Sequence, residues 1–483
     1  MADMQKDSAL FADFYSLTMA QGYWKKNNKE RVVFEMSFRR QPFDGGYAIF
    51  AGLGNLLEQL ETFSFSDSDI AYLKSLGLFE DSFTDYLKSF KFNGSLWAMN
   101  EGTVVFPHEP LIRVTGSIIE CQIIEGMLLN VINFQSLIAT KTCRVRLAAG
   151  KSSVMEFGLR RAQGPDGALS ASRAAYIGGA SGTSNTLAGK IFGIPVMGTM
   201  AHSWVMSFSG EEEAFDAYAD LYPDSTVFIL DTYDTLKSGI NNAINTGKKL
   251  AEKGKTFGVR LDSGDIQYLS TEVRKRLDNA GFEDARIIVS NELDESIIET
   301  LVKDGAPVDG WGVGTKMVTG GQSSAFTGVY KLVARIEEGG GVIPVMKLSD
   351  NPEKITYPGA KQVYRVRDSS GAALADVVGL VCDDELKPGE RHTFWHPSAD
   401  YRHFSHQIED VEALLKPRIE KGKLSAPLPS LTDIRAHVDA GLNQFDSTHK
   451  RLLNPHVYKV SITEKLRSLK LSLIQKHSGK SFS

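Results

Sequence analysis

From residue 154 to about residue 333, short apolar, β-branched runs alternate with longer amphipathic stretches, and no other feature constrains the fold of this chain as tightly. A strand covered on both faces reads as a near-continuous apolar run, whereas a connecting helix repeats its apolar residues every three or four positions. The alternation predicts strands over Ser153–Phe157, Ile194–Gly198, Val227–Leu230, Phe257–Leu261, Arg286–Val289, Gly310–Val313 and Val329–Ala334. Glu211–Leu221 and Thr235–Lys253 carry the clearest helical period, with Leu236, Ile240, Ala243, Ile244 and Leu250 on one face. Right-handed crossovers convert such a series into a barrel with helices outside, so the expected class is α/β: an irregular, partly closed parallel α/β barrel.

At 483 residues the chain is too long for one hydrophobic core. The first 140 residues mix helix signals (Phe11–Trp24, Ile49–Glu61, Ser66–Leu76) with strand signals near Arg31–Phe38 and Gly102–Val114, and are expected to form an α+β domain. The barrel is expected over 141–355. A C-terminal region over 356–483 should pack on the N-terminal domain and end in a basic amphipathic tail, Lys450 to Lys480, read as a solvated helix face.

A net charge of -5 is small for this length and argues against nucleic acid or a membrane as partner, leaving a small molecule. Cys121, Cys143 and Cys382 lack paired spacing, so neither a disulfide framework nor a zinc site is expected. The start, MADMQKDSAL, lacks a signal-peptide pattern, and no apolar run approaches the ~20 residues of a membrane helix; a cytoplasmic location is expected.

Reactive residues gather just past the predicted strand ends: Arg160 and Arg161, His202, Asp231, Arg260 with Asp262, Asn291, and the turn Gly312-Val313-Gly314-Thr315. In a parallel barrel those ends share one face, where such folds build active sites. In Glu156-Phe157-Gly158-Leu159-Arg160-Arg161 the aromatic ring could stack on a flat ligand while an arginine fork binds its carboxylate or phosphate; a surface ion-pair cluster is the alternative. His202, among the small residues Gly198 to Ser203, could accept a phosphoryl group or simply be hydrogen-bonded. Asp231-Thr232-Tyr233-Asp234 and Arg260-Leu261-Asp262-Ser263-Gly264-Asp265 offer oxygen ligands suited to magnesium, or caps for the following helices. The glycine-rich runs Gly178–Asn185 and Gly310–Thr315 could present N–H groups to a phosphate, although neither has the lysine of a P-loop.

These motifs together resemble the nicotinate phosphoribosyltransferase family. The resemblance runs over most of the chain: Asp13 to Met19, Phe38-Arg39-Arg40 with Pro42, Glu156 to Arg161, Gly198 to Ser203, Arg260 to Asp265, Trp311 to Thr315, and Asn454-Pro455-His456. It implies a type II phosphoribosyltransferase-like barrel, and a head-to-tail homodimer with shared active sites. Tyr15 would reach the partner's site and sandwich a pyridine ring against Phe157. Arg260 would read the ring's carboxylate, with Arg160 and Asp262 lining the ribose and phosphate region. Gly312, Gly314 and Thr315 would hold the ribose 5-phosphate, and Arg39 or Arg40 the pyrophosphate or the phosphates of ATP. His202 would be phosphorylated by ATP as a co-substrate, while Asp231 and Asp262 would support magnesium. Ser184 stands where nicotinamide-specific relatives carry an aspartate, which favours nicotinate over nicotinamide. Lys331, Lys347 and Lys354 could join the ATP site or be ordinary surface lysines. Two other classes stay open on residues alone: a barrel metal-dependent hydrolase using Asp231, Asp262 and His202, and a non-catalytic nucleotide-binding scaffold.

Overall fold

The computed structural model describes residues 8–478 except 29, 350–355, 384–385, 398 and 400; Lys354 and Lys480 therefore lie outside the described residues. The chain divides into two compact units, one running from Ile138 to Ser324 and the other made of the chain before and after it.

The inner unit is a parallel α/β sheet. Its strands are β1 (Ser153–Glu156), β2 (Gly182–Thr183), β3 (Val227–Ile229), β4 (Gly258–Leu261), β5 (Arg286–Asn291) and β6 (Gly310–Val313). Their order is β2-β1-β6-β5-β4-β3, with every neighbouring pair parallel. The sheet is a half-barrel with two edges, in keeping with the partly closed α/β barrel expected. Helices Gly164–Ile177, Glu211–Leu221, Ile240–Glu252, Ile266–Asn279 and Glu295–Lys303 connect the strands. Val259, Leu261, Ile287, Val289, Trp311 and Val313 are fully buried, which explains the unbroken apolar runs of these strands. The helix expected over Thr235–Lys253 begins with a wider turn, Thr235–Gly239, before the regular helix starts at Ile240.

Two expected barrel strands are corrected. Ile194–Gly198 makes only a single bridge, Val196 to Thr183, and Gly182–Thr183 holds that place in the sheet instead. Pro195 has no N–H to give to a ladder, which limits how far a strand can extend there. Val329–Ala334 does form a strand, Gly328–Ile336, but in the other unit, antiparallel to Arg31–Phe38 and to Val342–Pro344. An apolar run identifies a strand without identifying its partner, and here the partner lies nearly three hundred residues upstream.

The outer unit holds a seven-stranded antiparallel sheet centred on Arg31–Phe38 and Ile112–Ser117, and a six-stranded mixed sheet centred on Ala373–Leu380 and Val460–Ile462. Its core includes Leu17, Phe34, Phe38, Leu56, Phe83 and Tyr330. The basic tail forms helix Glu464–Ser478, and it is anchored rather than wholly solvated: Leu466 is fully buried, and Lys470 Nζ donates to Pro397 O at 2.7 Å. Among the described residues no helix is long and apolar enough to cross a membrane.

Candidate active site

The strand ends of the inner unit carry a hydrogen-bonded cluster built around Arg260, the third residue of β4. Its Nε donates to Ser290 Oγ at 2.9 Å, and its Nη2 forms an ion pair with Asp262 Oδ2 at 3.0 Å. Its Nη1 is held by Thr199 Oγ1 and, at 3.4 Å, by Met200 O. Ser290 Oγ in turn donates to Asp262 Oδ1 at 2.5 Å, so one hydroxyl joins arginine and aspartate by accepting from the first and donating to the second. Asp262 Oδ2 lies 3.6 Å from His202 Nε2, and His202 Nδ1 lies 3.1 Å from Thr232 Oγ1. The imidazole is thus held between a hydroxyl and a carboxylate, with its side chain 39% exposed and open to a reactant.

The acids after β3 and β4 divide into two kinds. Asp234 Oδ1 accepts from Leu236 N and Lys237 N at 3.1 and 2.8 Å, and Asp265 Oδ1 accepts from Tyr268 N at 2.9 Å; both are helix caps. The Lys237 backbone N–H, chief among its neighbours, holds the Asp234 carboxyl below the usual range. Asp231 and Asp262 cap nothing. Asp231 Oδ2 accepts from Ser263 Oγ, while its Oδ1 is buried with no hydrogen-bond partner among the described residues.

Beside this cluster Phe157 follows β1, its N donating to Val313 O at 2.9 Å. Gly312 lies against the ring: a Cβ at position 312 would come within 2.6 Å of Phe157 Cδ2. A glycine at 312 is therefore demanded by the aromatic residue, whatever else the turn holds. Gly314 packs on the Phe157 carbonyl and precedes the short helix that Thr315 opens. Arg160 and Arg161 are exposed in the turn Leu159–Arg161. Ser184 is half-buried, its N donating to Glu156 O at 2.9 Å.

Glu156 belongs to neither of the readings its segment allowed. Its side chain is 1% exposed; Oε1 accepts from Gly158 N, and Oε2 accepts from Ser172 Oγ at 2.9 Å and Thr183 Oγ1 at 2.5 Å. Sequence reasoning also passed over Ser290, whose only signal is a hydroxyl ending the apolar run Ile287-Ile288-Val289.

Tyr15, Arg39 and Arg40 belong to the outer unit. Tyr15 is 47% exposed on helix Phe14–Lys25, and partial burial together with the Glu125 carboxylate pushes its phenol up to about 12, so it stays protonated. Arg39 and Arg40 follow strand Arg31–Phe38, with both backbone N–H groups donating to Thr327 Oγ1. Arg39 and Lys331 line one small cleft, and Lys347 is tied through its backbone N to Thr356 Oγ1 at 2.9 Å.

Comparisons with known proteins bear on the family of the chain. Models of the nicotinate phosphoribosyltransferase (NAPRTase) N-terminal domain, family and C-terminal domain match residues 10–133, 152–377 and 360–470. A nicotinate phosphoribosyltransferase of Bacillus subtilis is 43% identical over 472 residues, covering 96% of this chain and 95% of its own. The one of Homo sapiens is 36% identical over 523 residues, covering 96% of both. The crystal structure of human nicotinic acid phosphoribosyltransferase superposes with a TM-score of 0.84 at 33% identity, over 95% of this chain and 99% of that one. A nicotinate-nucleotide pyrophosphorylase from Pyrococcus furiosus, at 24% identity and a TM-score of 0.71, shares the fold. With three consecutive family models and relatives matched almost end to end, the chain belongs to the nicotinate phosphoribosyltransferase family.

Proposed function

We propose that this protein joins nicotinate to the ribose of phosphoribosyl pyrophosphate, giving nicotinate mononucleotide and pyrophosphate in NAD biosynthesis, and that ATP drives the reaction through a phosphohistidine at His202. The observation that carries this reading is the Arg260–Ser290–Asp262–His202 cluster, which sets a guanidinium fork and an accessible imidazole on one carboxylate. An arginine with N–H groups remaining on Nη1 and Nη2 suits a carboxylate, and Phe157 offers a ring face for the pyridine.

In the transfer, the pyridine nitrogen forms a bond to ribose C1 as the bond from C1 to the pyrophosphate oxygen breaks, with both electrons leaving on pyrophosphate. The transition state resembles an oxocarbenium ion, so alignment by the Phe157 and Tyr15 rings and neutralisation of the leaving group dominate. Arg160, Arg39 and Arg40 are assigned to the phosphates, and Gly312, Gly314 and Thr315 to the ribose 5-phosphate, on the resemblance of their motifs. In the coupled step an imidazole nitrogen of His202 takes the terminal phosphoryl group of ATP, releasing ADP. Water later cleaves the P–N bond to give phosphate.

The donors present fit magnesium unequally. Asp231 has a buried oxygen without a partner, as a ligand would, whereas Asp262 Oδ1 already accepts from Ser290 and its Oδ2 is ion-paired with Arg260. Among the described residues no three His, Cys, Asp or Glu side chains converge on a metal, so waters and substrate phosphates would complete the shell, as magnesium prefers. Such an ion would supply charge neutralisation for the departing pyrophosphate. A cytoplasmic homodimer with shared sites completes the proposal, supported by the motif that contains Tyr15.

The test is nucleotide formation followed by mass spectrometry, with nicotinate or nicotinamide, phosphoribosyl pyrophosphate and magnesium, each with and without ATP. Nicotinate mononucleotide formed preferentially, and faster with ATP, is the expected result. Turnover without phosphoribosyl pyrophosphate would return the barrel to the hydrolase reading.

A further inference from the structure

We propose that Glu156 is a positioning residue for pyridine recognition: one buried carboxylate ties the turn bearing Phe157 to the turn bearing Ser184. The inference rests on the site reading above and adds to it a residue that touches no substrate.

The geometry is that of a three-donor anchor. Glu156 ends β1, in register with Val313 of β6 on one side and Thr183 of β2 on the other. Through Oε1 it holds Gly158 N, the peptide immediately after Phe157. Through Oε2 it holds Thr183 Oγ1 at 2.5 Å, the residue immediately before Ser184, and Ser172 Oγ at 2.9 Å on helix Gly164–Ile177. Its own carbonyl accepts from Ser184 N at 2.9 Å. The network continues to Asn185, whose N donates to Thr183 Oγ1 at 2.9 Å and whose Nδ2 donates to Ser172 Oγ at 3.2 Å. Two loops therefore meet at a single carboxylate, and at 1% exposure water does not compete for its oxygens.

Chemistry explains why the residue is an acid. Only an ionised carboxylate can accept from a backbone N–H and two hydroxyls at once with no donor of its own. A glutamine keeps the shape but turns an NH₂ group toward Ser172 and Thr183, whose hydroxyls must reverse from donor to acceptor, and the charge that strengthens the tie between the two turns is lost. Displacement of the ring face or of Ser184 alters the fit of the pyridine and its substituent first; among the groups assigned to the phosphates, Arg160 shares the tethered turn, whereas Gly312, Gly314 and Thr315 lie at another strand end.

The experiment compares Glu156→Gln, Ser172→Ala and Phe157→Ala with the wild type, measuring KM for nicotinate, KM for phosphoribosyl pyrophosphate, the ratio of kcat/KM for nicotinate over nicotinamide, and Tm. Glu156→Gln is expected to raise KM for nicotinate about tenfold and to lower the nicotinate preference, with a smaller rise in KM for phosphoribosyl pyrophosphate through Arg160. Ser172→Ala, which removes one donor at a distance from the ring, should shift the same two quantities in the same direction by less, and it reports on the network even if the glutamine variant does not fold. The proposal is overturned if folded variants keep their nicotinate KM, or if both KM values rise by the same factor as in general loosening of the barrel. Phe157→Ala separates the two levels: if it leaves nicotinate KM unchanged, the site reading itself fails; if it raises nicotinate KM while Glu156→Gln and Ser172→Ala do not, only the role of Glu156 fails.

Discussion

Adding one methyl group at position 312 probes whether the ring of Phe157 is part of the site. In Gly312→Ala the new Cβ would lie 2.6 Å from Phe157 Cδ2 and 2.8 Å from Cε2. Carbon atoms rest at about 3.5–4.0 Å, so the ring must retreat by about 1 Å. The backbone cannot easily follow: Phe157 N is bonded to Val313 O at 2.9 Å, and the adjacent Gly158 is packed so closely that a Cβ there would meet Val318 Cγ1 at 2.3 Å. Forcing a methyl group into such a contact costs about 1–3 kcal/mol of stability. A misplacement of about 1 Å in a substrate-orienting group can lower kcat/KM about 100-fold, or about 2.7 kcal/mol of transition-state binding. The assay is steady-state kinetics with each substrate varied in turn, alongside thermal unfolding. KM for nicotinate should rise by more than that for phosphoribosyl pyrophosphate; in Gly312→Ala/Phe157→Leu, stability should recover while nicotinate affinity does not. Unchanged Tm and unchanged nicotinate kinetics in Gly312→Ala would refute the reasoning, and a selective rise in KM for phosphoribosyl pyrophosphate would return Gly312 to the phosphate turn alone.

Four other outcomes are expected. His202→Ala should abolish ATP hydrolysis and leave a weak, ATP-independent transfer; equal stimulation by ATP in the variant would remove the phosphohistidine from the scheme. Asp231→Asn should raise the magnesium concentration for half-maximal rate about tenfold or more in a metal titration, since a charged ligand becomes neutral; an unshifted titration would rule Asp231 out as a ligand. Ser184→Asp sets a carboxylate against that of nicotinate and should raise its KM at least about tenfold, from like-charge repulsion of several kcal/mol at close range; unchanged affinity would sink this account of specificity. In the outer unit, burial first, and then the Asp376 carboxylate, push Glu109 well above the usual carboxylate range, and a proton on Glu109 makes it a donor to Asp376. The folded state then holds a proton the unfolded chain has lost, so this group's contribution falls as pH rises from the ordinary Glu value toward the raised one. Glu109→Gln should flatten that part of a Tm-against-pH profile and gain on the order of 1 kcal/mol at the alkaline end; parallel profiles would refute it.

The strands of the barrel were legible because burial on both faces writes a continuous apolar run into the sequence, as in Ile287-Ile288-Val289 and Gly258-Val259. Partnership was not legible. Gly328–Ile336 has the composition of a barrel strand, and only its ladder to Arg31–Phe38 places it elsewhere. At the site, Arg260, Asp262 and His202 could be grouped from sequence, since parallel strand ends share a face. Ser290, Thr199 and Thr232 complete their hydrogen bonds and carry no comparable signal, because serine and threonine occur at strand ends and turns throughout any chain. Glu156 was legible as a polar residue at a strand end but not as a buried anchor, since burial of a single acid depends on three donors brought from separate segments.

One pattern in the sequence does distinguish capping acids from acids free to serve chemistry. Asp231 and Asp234 after β3, and Asp262 and Asp265 after β4, share the spacing D-x-x-D. In each loop the second acid directly precedes a helix, where its side chain satisfies N–H groups that the helix cannot bond internally. The first acid sits within two residues of its strand, too early to cap, and turns to hydroxyls instead: Ser263 for Asp231, Ser290 for Asp262. Because β3 and β4 are paired in parallel, with Ile229 opposite Arg260, the two first acids emerge from adjacent strand ends. Capping and site-building thus draw on the same residue type without competing, and three positions of spacing separate the two roles.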